Sequence, residues 1–191
     1  HGGTAVQPGL AEKWEISEDG LTYTFNLRAG VTWHDGTPFT SADVLFTYKT
    51  LLTKAIGSIY ATKLFAIDGG QEFYDGTATE LTGVTAPDDN PVVFALKEPF
   101  APFVFSVLSN HSIIPEHVWS GKPAEDLAKP GTWESGPIGT GPFKFVTYEP
   151  DKFLEVGRND TAWRGKPILD RVLFVTVGST LEAQAAALGA G

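Results

Sequence analysis

The chain has 191 residues, of which 42% are apolar, 12% aromatic and 19% charged, with 14 basic against 23 acidic side chains and a formal net charge of −9. That balance is too apolar and too aromatic for a disordered chain, and the length fits one domain or two small ones, enough to bury roughly 70% of the surface exposed on unfolding. Absence of cysteine excludes disulfide frameworks, thiolate metal sites and cysteine catalysis; the acidic balance argues against nucleic-acid or anionic-lipid partners; no apolar run approaches the ~18 residues of a membrane span.

Methionine is also absent, even at position 1. With His1-Gly2-Gly3 at one end and Ala190-Gly191 at the other, the chain is expected to be a piece of a larger protein, with any signal peptide outside it. Ala11 to Ile16 reads as a strand that brings Trp14 onto a small sheet. Leu21, Tyr23, Phe25 and Leu27 alternate along one face of the next strand, after a turn at Asp19-Gly20. Arg28-Ala29-Gly30 is expected to reverse the chain into a hairpin, with Val31-Thr32-Trp33 as the returning strand and Asp35-Gly36 as a second tight turn.

Thr40 and Asp43 fit a capping box, so a helix is predicted from there to about Thr53, with Val44, Phe46 and Leu51 in its apolar stripe and Gly57 as its stop. A short helix or turn is predicted near Tyr60 to Phe65, and a loop over 67–80. Residues 82–86 and 91–96 form a hairpin around Asp88-Asp89-Asn90. Phe100 to Leu108 reads as a helix started by Pro102. Ser112 to Pro115 is a short extended piece, and Glu116 to Trp119 begins a turn. Glycine and proline concentrate over 120–141, the candidate domain boundary. Three strands follow, Phe143 to Glu149, Phe153 to Arg158 and Leu173 to Val177, the first pair joined at Asp151-Lys152. Thr180 to Leu188 reads as an alanine-rich helix.

No catalytic constellation emerges. Gly139-Thr140-Gly141-Pro142 runs into a strand rather than a helix, and Pro142 removes an amide donor, so it does not fit a phosphate loop. No serine lies in a Gly-x-Ser-x-Gly elbow. His111 and His117 are six residues apart across Pro115, unlike two zinc ligands on one helical face, and read as turn or surface histidines. His34, beside Asp35, is expected to make a local hydrogen bond. Asp88-Asp89 and Glu12 with Glu15 read as solvated charge rather than a glycosidase pair. Asn110-His-Ser112 and Asn159-Asp-Thr161 match the glycosylation sequon, a pattern frequent by chance. Trp119-Ser-Gly-Lys-Pro123 and Trp163-Arg-Gly-Lys-Pro167 look alike, but nothing flanking them matches.

Three stretches together resemble the family 5 extracellular solute-binding proteins, the peptide, dipeptide and nickel receptors of bacterial ABC importers. The first runs Pro8-x-Leu10-Ala11-x-x-Trp14, Ser17-x-Asp19-Gly20-x-x-Tyr23-x-Phe25-x-Leu27-Arg28-x-Gly30-Val31-x-Trp33-His34-Asp35-Gly36-x-Pro38-Phe39-Thr40-Ser41-x-Asp43-Val44. The second is Gly139-Thr140-Gly141-Pro142-Phe143 with Arg158-Asn159-Asp160, Trp163 and Gly165-Lys166-Pro167. The third is Phe100-Ala-Pro-Phe103 with Ile114-Pro-Glu-His-Val118. Most of these residues have structural readings: glycines for turns, aromatics for a small core, Thr40 and Asp43 for a cap, Arg28 for an acidic neighbour.

The resemblance implies a mixed α/β fold, a fragment of the two-lobed class II periplasmic-binding-protein type, with small antiparallel sheets and flanking helices. Residues 1–138 would be the extra subdomain of the first lobe and 139–191 the start of that lobe's main sheet, the second lobe being absent. The implied function is capture of an oligopeptide or dipeptide outside the cytoplasmic membrane and delivery to an ABC permease, without catalysis and without a cofactor or metal. The protein would be periplasmic or anchored to the membrane's outer face, and the fragment monomeric. Receptors for nickel complexes or oligosaccharides, or a sensor or enzyme reusing the scaffold, are alternatives. By the same resemblance the ligand-facing positions are Tyr60, Asn110 and His111. Tyr60 could stack on a ligand or hydrogen-bond through its hydroxyl, and Asn110 could both donate and accept.

Overall fold

A computed structural model describes residues 6–132 and 136–177; the helix expected at Thr180 to Leu188 lies outside them. Two antiparallel sheets organise the chain. The first has four strands in the order β1-β2-β4-β3: β1 (Ala11–Ile16), β2 (Thr22–Leu27), β3 (Val84–Thr85) and β4 (Pro91–Ala95). The second is the meander β5 (Phe143–Glu149), β6 (Phe153–Arg158) and β7 (Arg171–Val175). Asp151, at φ 61°, turns β5 into β6 in the left-handed conformation that aspartate tolerates.

The alternation along β2 places Tyr23, Phe25 and Leu27 inside. Across the sheet, Phe25 pairs with Val92 and Tyr23 with Phe94, so one face carries a continuous aromatic and branched surface. Trp14 of β1 stacks on Phe25 with ring centroids 6.3 Å apart, as expected. Helix α1 (Ser41–Leu51) covers this face: Tyr48 meets Phe94 edge-on at 4.9 Å, and Val44 is buried beside it. The hairpin of β3 with β4 forms as the sequence suggests.

Val31-Thr32-Trp33 does not return along β2. Both edges of β2 are taken, by β1 and β4, and residues 31–39 close on themselves. Trp33 N donates to Thr37 O at 2.8 Å and Phe39 N to Val31 O at 3.0 Å, around Gly36 at φ 93°. Alternating apolar residues mark Val31 and Trp33 as buried, but they do not say which backbone partner they meet.

This loop is fastened by one carboxylate. Asp43 is 4% exposed, in the first turn of α1. Its Oδ2 accepts from Trp33 Nε1 at 3.2 Å and Thr40 N at 2.9 Å, and its Oδ1 from Glu116 N at 2.9 Å. The capping role read from the sequence is therefore one part of a larger junction. Glu116 opens α3 (Glu116–Trp119), so one side chain ties the Trp33 loop, the start of α1 and the start of α3.

The stretch 67–80, predicted as loop, contains the short helix α2 (Gly70–Tyr74) and a fully buried Ile67 paired with Leu96. It approaches β3 so closely that a Cβ on Gly83 would lie 2.2 Å from Asp68 O. Phe100 to Leu108 is not one α-helix either. A wide turn at Phe103–Val107 runs into a tight one at Leu108–Asn110. Ser106 donates both its amide (2.7 Å) and its hydroxyl (2.8 Å) to Pro102 O, a local competition that disturbs the helical ladder. Helix α4 (Ala124–Leu127) packs on the Lys54–Ile56 turn.

The sheets meet where Arg28, in the turn after β2, lies 4.8 Å over the Trp163 ring and reaches Gly9 O and Glu12. Around the same joint, Arg164 donates to Pro8 O. The buried Asn159 bridges the start of β5 to the turn after β6 through Pro142 O and Gly141 O.

Asp43→Ala leaves three donors without their acceptor, two on the backbone and one on Trp33. The variant is expected to lose about 3 kcal/mol of stability in urea unfolding followed by tryptophan emission. Asp43→Asn, which keeps one acceptor oxygen, is expected to lose less.

Candidate functional site

Thr47, one turn after Asp43, donates its hydroxyl to Asp43 O at 2.7 Å and accepts from Ile114 N at 3.0 Å. With the Asp43–Glu116 bond, this pins both ends of 114–116 to α1. The preceding residues, 109–113, are thereby held along the edge of the first core, and His111 is carried with them.

The His111 ring sits between two tyrosines. Tyr60 meets it edge-on at 4.9 Å and 77°, and Tyr48 at 5.7 Å and 82°. Tyr60 is set by a local turn in which its amide donates to Ser58 Oγ at 3.2 Å. The residues named from sequence, 60 and 111, are thus in direct contact although 51 positions apart. Asn110 is exposed beside them, and its amide nitrogen donates back to Ser106 O at 2.8 Å, which commits part of its hydrogen-bonding capacity to the chain.

His111 is partly buried rather than a surface residue, and its two ring nitrogens are inaccessible with no hydrogen-bond partner among the described residues. An imidazole that only packs would leave its polar atoms at a cost of about 1–3 kcal/mol. Burial pushes its pKa below the ordinary 6.5, and the positive charge of Lys63 pushes it the same way. The neutral ring therefore prevails at pH 7, with one nitrogen able to donate and the other to accept.

Behind the ring lies a cavity of about 400 Å³, lined by Trp14, Phe25, Tyr48, Phe94, Leu108 and His111 among others. Its walls are predominantly apolar, within the size range of small-ligand sites. Burial raises the Tyr48 hydroxyl, so it stays protonated. Sequence reading missed Tyr48 as part of this edge, because in the helical stripe it is indistinguishable from a core residue. Lys63 gave no signal either, since its effect on His111 arises only in three dimensions. His117 lies elsewhere, 2.7 Å from Asp35, and among the described residues no group of three or more carboxylates and histidines is placed to hold a metal.

The comparisons with known proteins agree with the architecture. Residues 5–191 match the family described as bacterial extracellular solute-binding proteins, family 5 middle, and the chain belongs to that family. It is 40% identical over 164 residues to an ABC transporter peptide-binding protein of Brucella ovis, covering 86% of this chain and 28% of that one. It is 37% identical over 185 residues to the dipeptide-binding protein of Escherichia coli, covering 91% of this chain and 33% of the relative. The solved structure of the oligopeptide-binding protein AppA of Bacillus subtilis in complex with a nonapeptide superposes with a TM-score of 0.82 at 29% identity, over 96% of this chain and 33% of that one. The chain thus spans about a third of the length of these relatives. Among the described residues no helix is long and apolar enough to cross a membrane.

His111→Phe keeps the ring contacts and removes two unpaired nitrogens. Its thermal midpoint is expected to equal or exceed that of the parent chain. By proton NMR, His111 is expected to titrate below 6.5. Because the folded value is depressed, its contribution is intact above the unfolded value of 6.5 and is lost as the pH falls through the folded one.

Proposed function

We propose that this chain forms part of the substrate-capturing component of an ABC importer, which binds oligopeptides or dipeptides outside the cytoplasmic membrane and passes them to a permease. Family membership supports this reading, and the observation that carries it is the likeness, along nearly the whole chain, to a receptor solved with a nonapeptide. In it residues 1–138 are the extra subdomain of the first lobe and residues 139–191 begin that lobe's main sheet. The protein works by holding rather than by chemical conversion. It lies in the periplasm or on the outer face of the membrane, and the chain alone is monomeric.

Tyr60, Asn110 and His111 form the ligand-facing edge. The His111 ring, whose nitrogens are inaccessible, braces the Tyr60 ring edge-on and fixes its orientation. The Tyr60 ring gives an amphipathic surface beside it, and the exposed Asn110 adds a polar group that can meet a backbone amide. Closure of a second lobe over this edge would remove water from these contacts and stabilise the closed state that a permease recognises.

The test is calorimetry of the longer protein that carries this chain, with di-, tri- and oligopeptides. Micromolar or tighter binding of at least one class is expected, weakened about tenfold, or ~1.4 kcal/mol, by Tyr60→Ala and by His111→Ala. The 191-residue chain alone is expected to bind the same peptides far more weakly, since the other lobe's contacts are missing. Failure of every peptide to bind, or cleavage of the peptides during titration, would overturn the reading.

A further inference from the structure

We propose that His34 is a proton-sensitive latch between the two sheets, closed while its imidazole is neutral and released when the ring takes up a second proton. The inference rests on the joint's geometry and is independent of the ligand.

His34 stands at the tip of the 31–39 loop of the first sheet's subdomain. Its hydrogen bonds do not go to Asp35, as the sequence suggests, but to the Gly139–Lys144 segment that leads into β5. His34 N donates to Gly139 O at 2.9 Å. Gly139 N donates to His34 Nδ1 at 3.1 Å, and Nε2 lies 3.1 Å from Gly141 O. Lys144 Nζ donates to His34 O at 2.9 Å.

The two ring contacts have opposite polarity. An Nδ1 that accepts from an amide carries no proton, so Nε2 carries it and donates to Gly141 O. A second proton can only go to Nδ1, where it would point at the Gly139 N–H and set two donors against each other. There is little room to adjust. A Cβ on Gly139 would already be 3.3 Å from His34 Cε1, and Gly141 O is held from its other side by Asn159 Nδ2 at 3.0 Å.

The charged groups around the ring are Lys144 on β5, Asp35 in the same turn and His117 on α3. Lys144 disfavours an imidazolium. Asp35 would favour one, but its carboxylate is engaged by Thr37 N at 3.0 Å and His117 Nε2 at 2.7 Å. A cavity of about 230 Å³, lined by His34, Asp35, Pro137, Ile138 and Lys144 among others, adjoins the ring and gives water a route to it. Burial holds the His34 pKa below the ordinary 6.5; the bond to Gly141 opposes this, Lys144 reinforces it and Asp35 opposes it. The latch is therefore complete above about pH 6.5 and weakens as the pH falls through the depressed folded value.

The experiment is amide hydrogen exchange of the 191-residue chain at pH 7.5 and pH 5.0, corrected for the intrinsic pH dependence of exchange, with nitrogen NMR of the imidazoles. At pH 7.5 His34 is expected as the Nε2–H tautomer. At pH 5.0 the protection of residues 137–145 is expected to fall about tenfold, while that of β2 and β4 holds. His34→Asn places an untitratable acceptor near Nδ1 and is expected to remove the pH dependence. His34→Gln, which reaches only toward Gly141, is expected to lower protection at both pH values. His117→Gln is expected to keep the pH dependence. The proposal is overturned if His34 is the other tautomer, if protection over 137–145 is equal at the two pH values, or if the pH dependence survives in His34→Asn and vanishes in His117→Gln.

Discussion

The buried carboxylate of Asp43 is the constraint on which the packing around the first sheet depends. A charge withdrawn this far from water is tolerable only when its lone pairs are met, and here they are met by groups from three separate segments. Each donor would itself be unsatisfied without the carboxylate. The Trp33 loop, the entry of α1 and the entry of α3 therefore form together or not at all. Thr47 extends the arrangement by one helical turn to Ile114. The position of His111 is a downstream result of this junction rather than of its own immediate surroundings.

Much of the fold was legible because it is governed by local alternation and turn chemistry. β2, the hairpin of β3 with β4, and the meander of β5 and β6 lie where alternating residues and Asp-Gly or Asp-Lys turns put them. Elements settled by distant partners were not legible. Val31 to Trp33 has the pattern of a strand, but the edge it would have joined is occupied by β4, which comes about 60 residues later. Ile67 is in a glycine-rich stretch that reads as loop, yet it is fully buried because Gly83 lets the backbone come close.

The site shows the same division. Tyr60, Asn110 and His111 were singled out through family resemblance, since nothing in their spacing relates them. Their juxtaposition is a tertiary fact, as are the edge-on contact of Tyr60 with His111 and the burial of the imidazole nitrogens. His34 makes the point most sharply. Its neighbour in sequence is a carboxylate, the obvious partner for an imidazole. That carboxylate is drawn to His117, while His34 turns to backbone groups more than a hundred residues away. Proximity along the chain was a poor guide here, because the fold brings a distant partner to each of these polar groups.

The Trp163 indole faces two guanidinium groups, Arg28 at 4.8 Å from the turn after β2 and Arg164 at 4.6 Å from its own turn. Positive charge this near an excited indole shifts its emission energy, and only one of the two charges travels with the other sheet. The chain thus carries an intrinsic optical gauge of the separation between its halves.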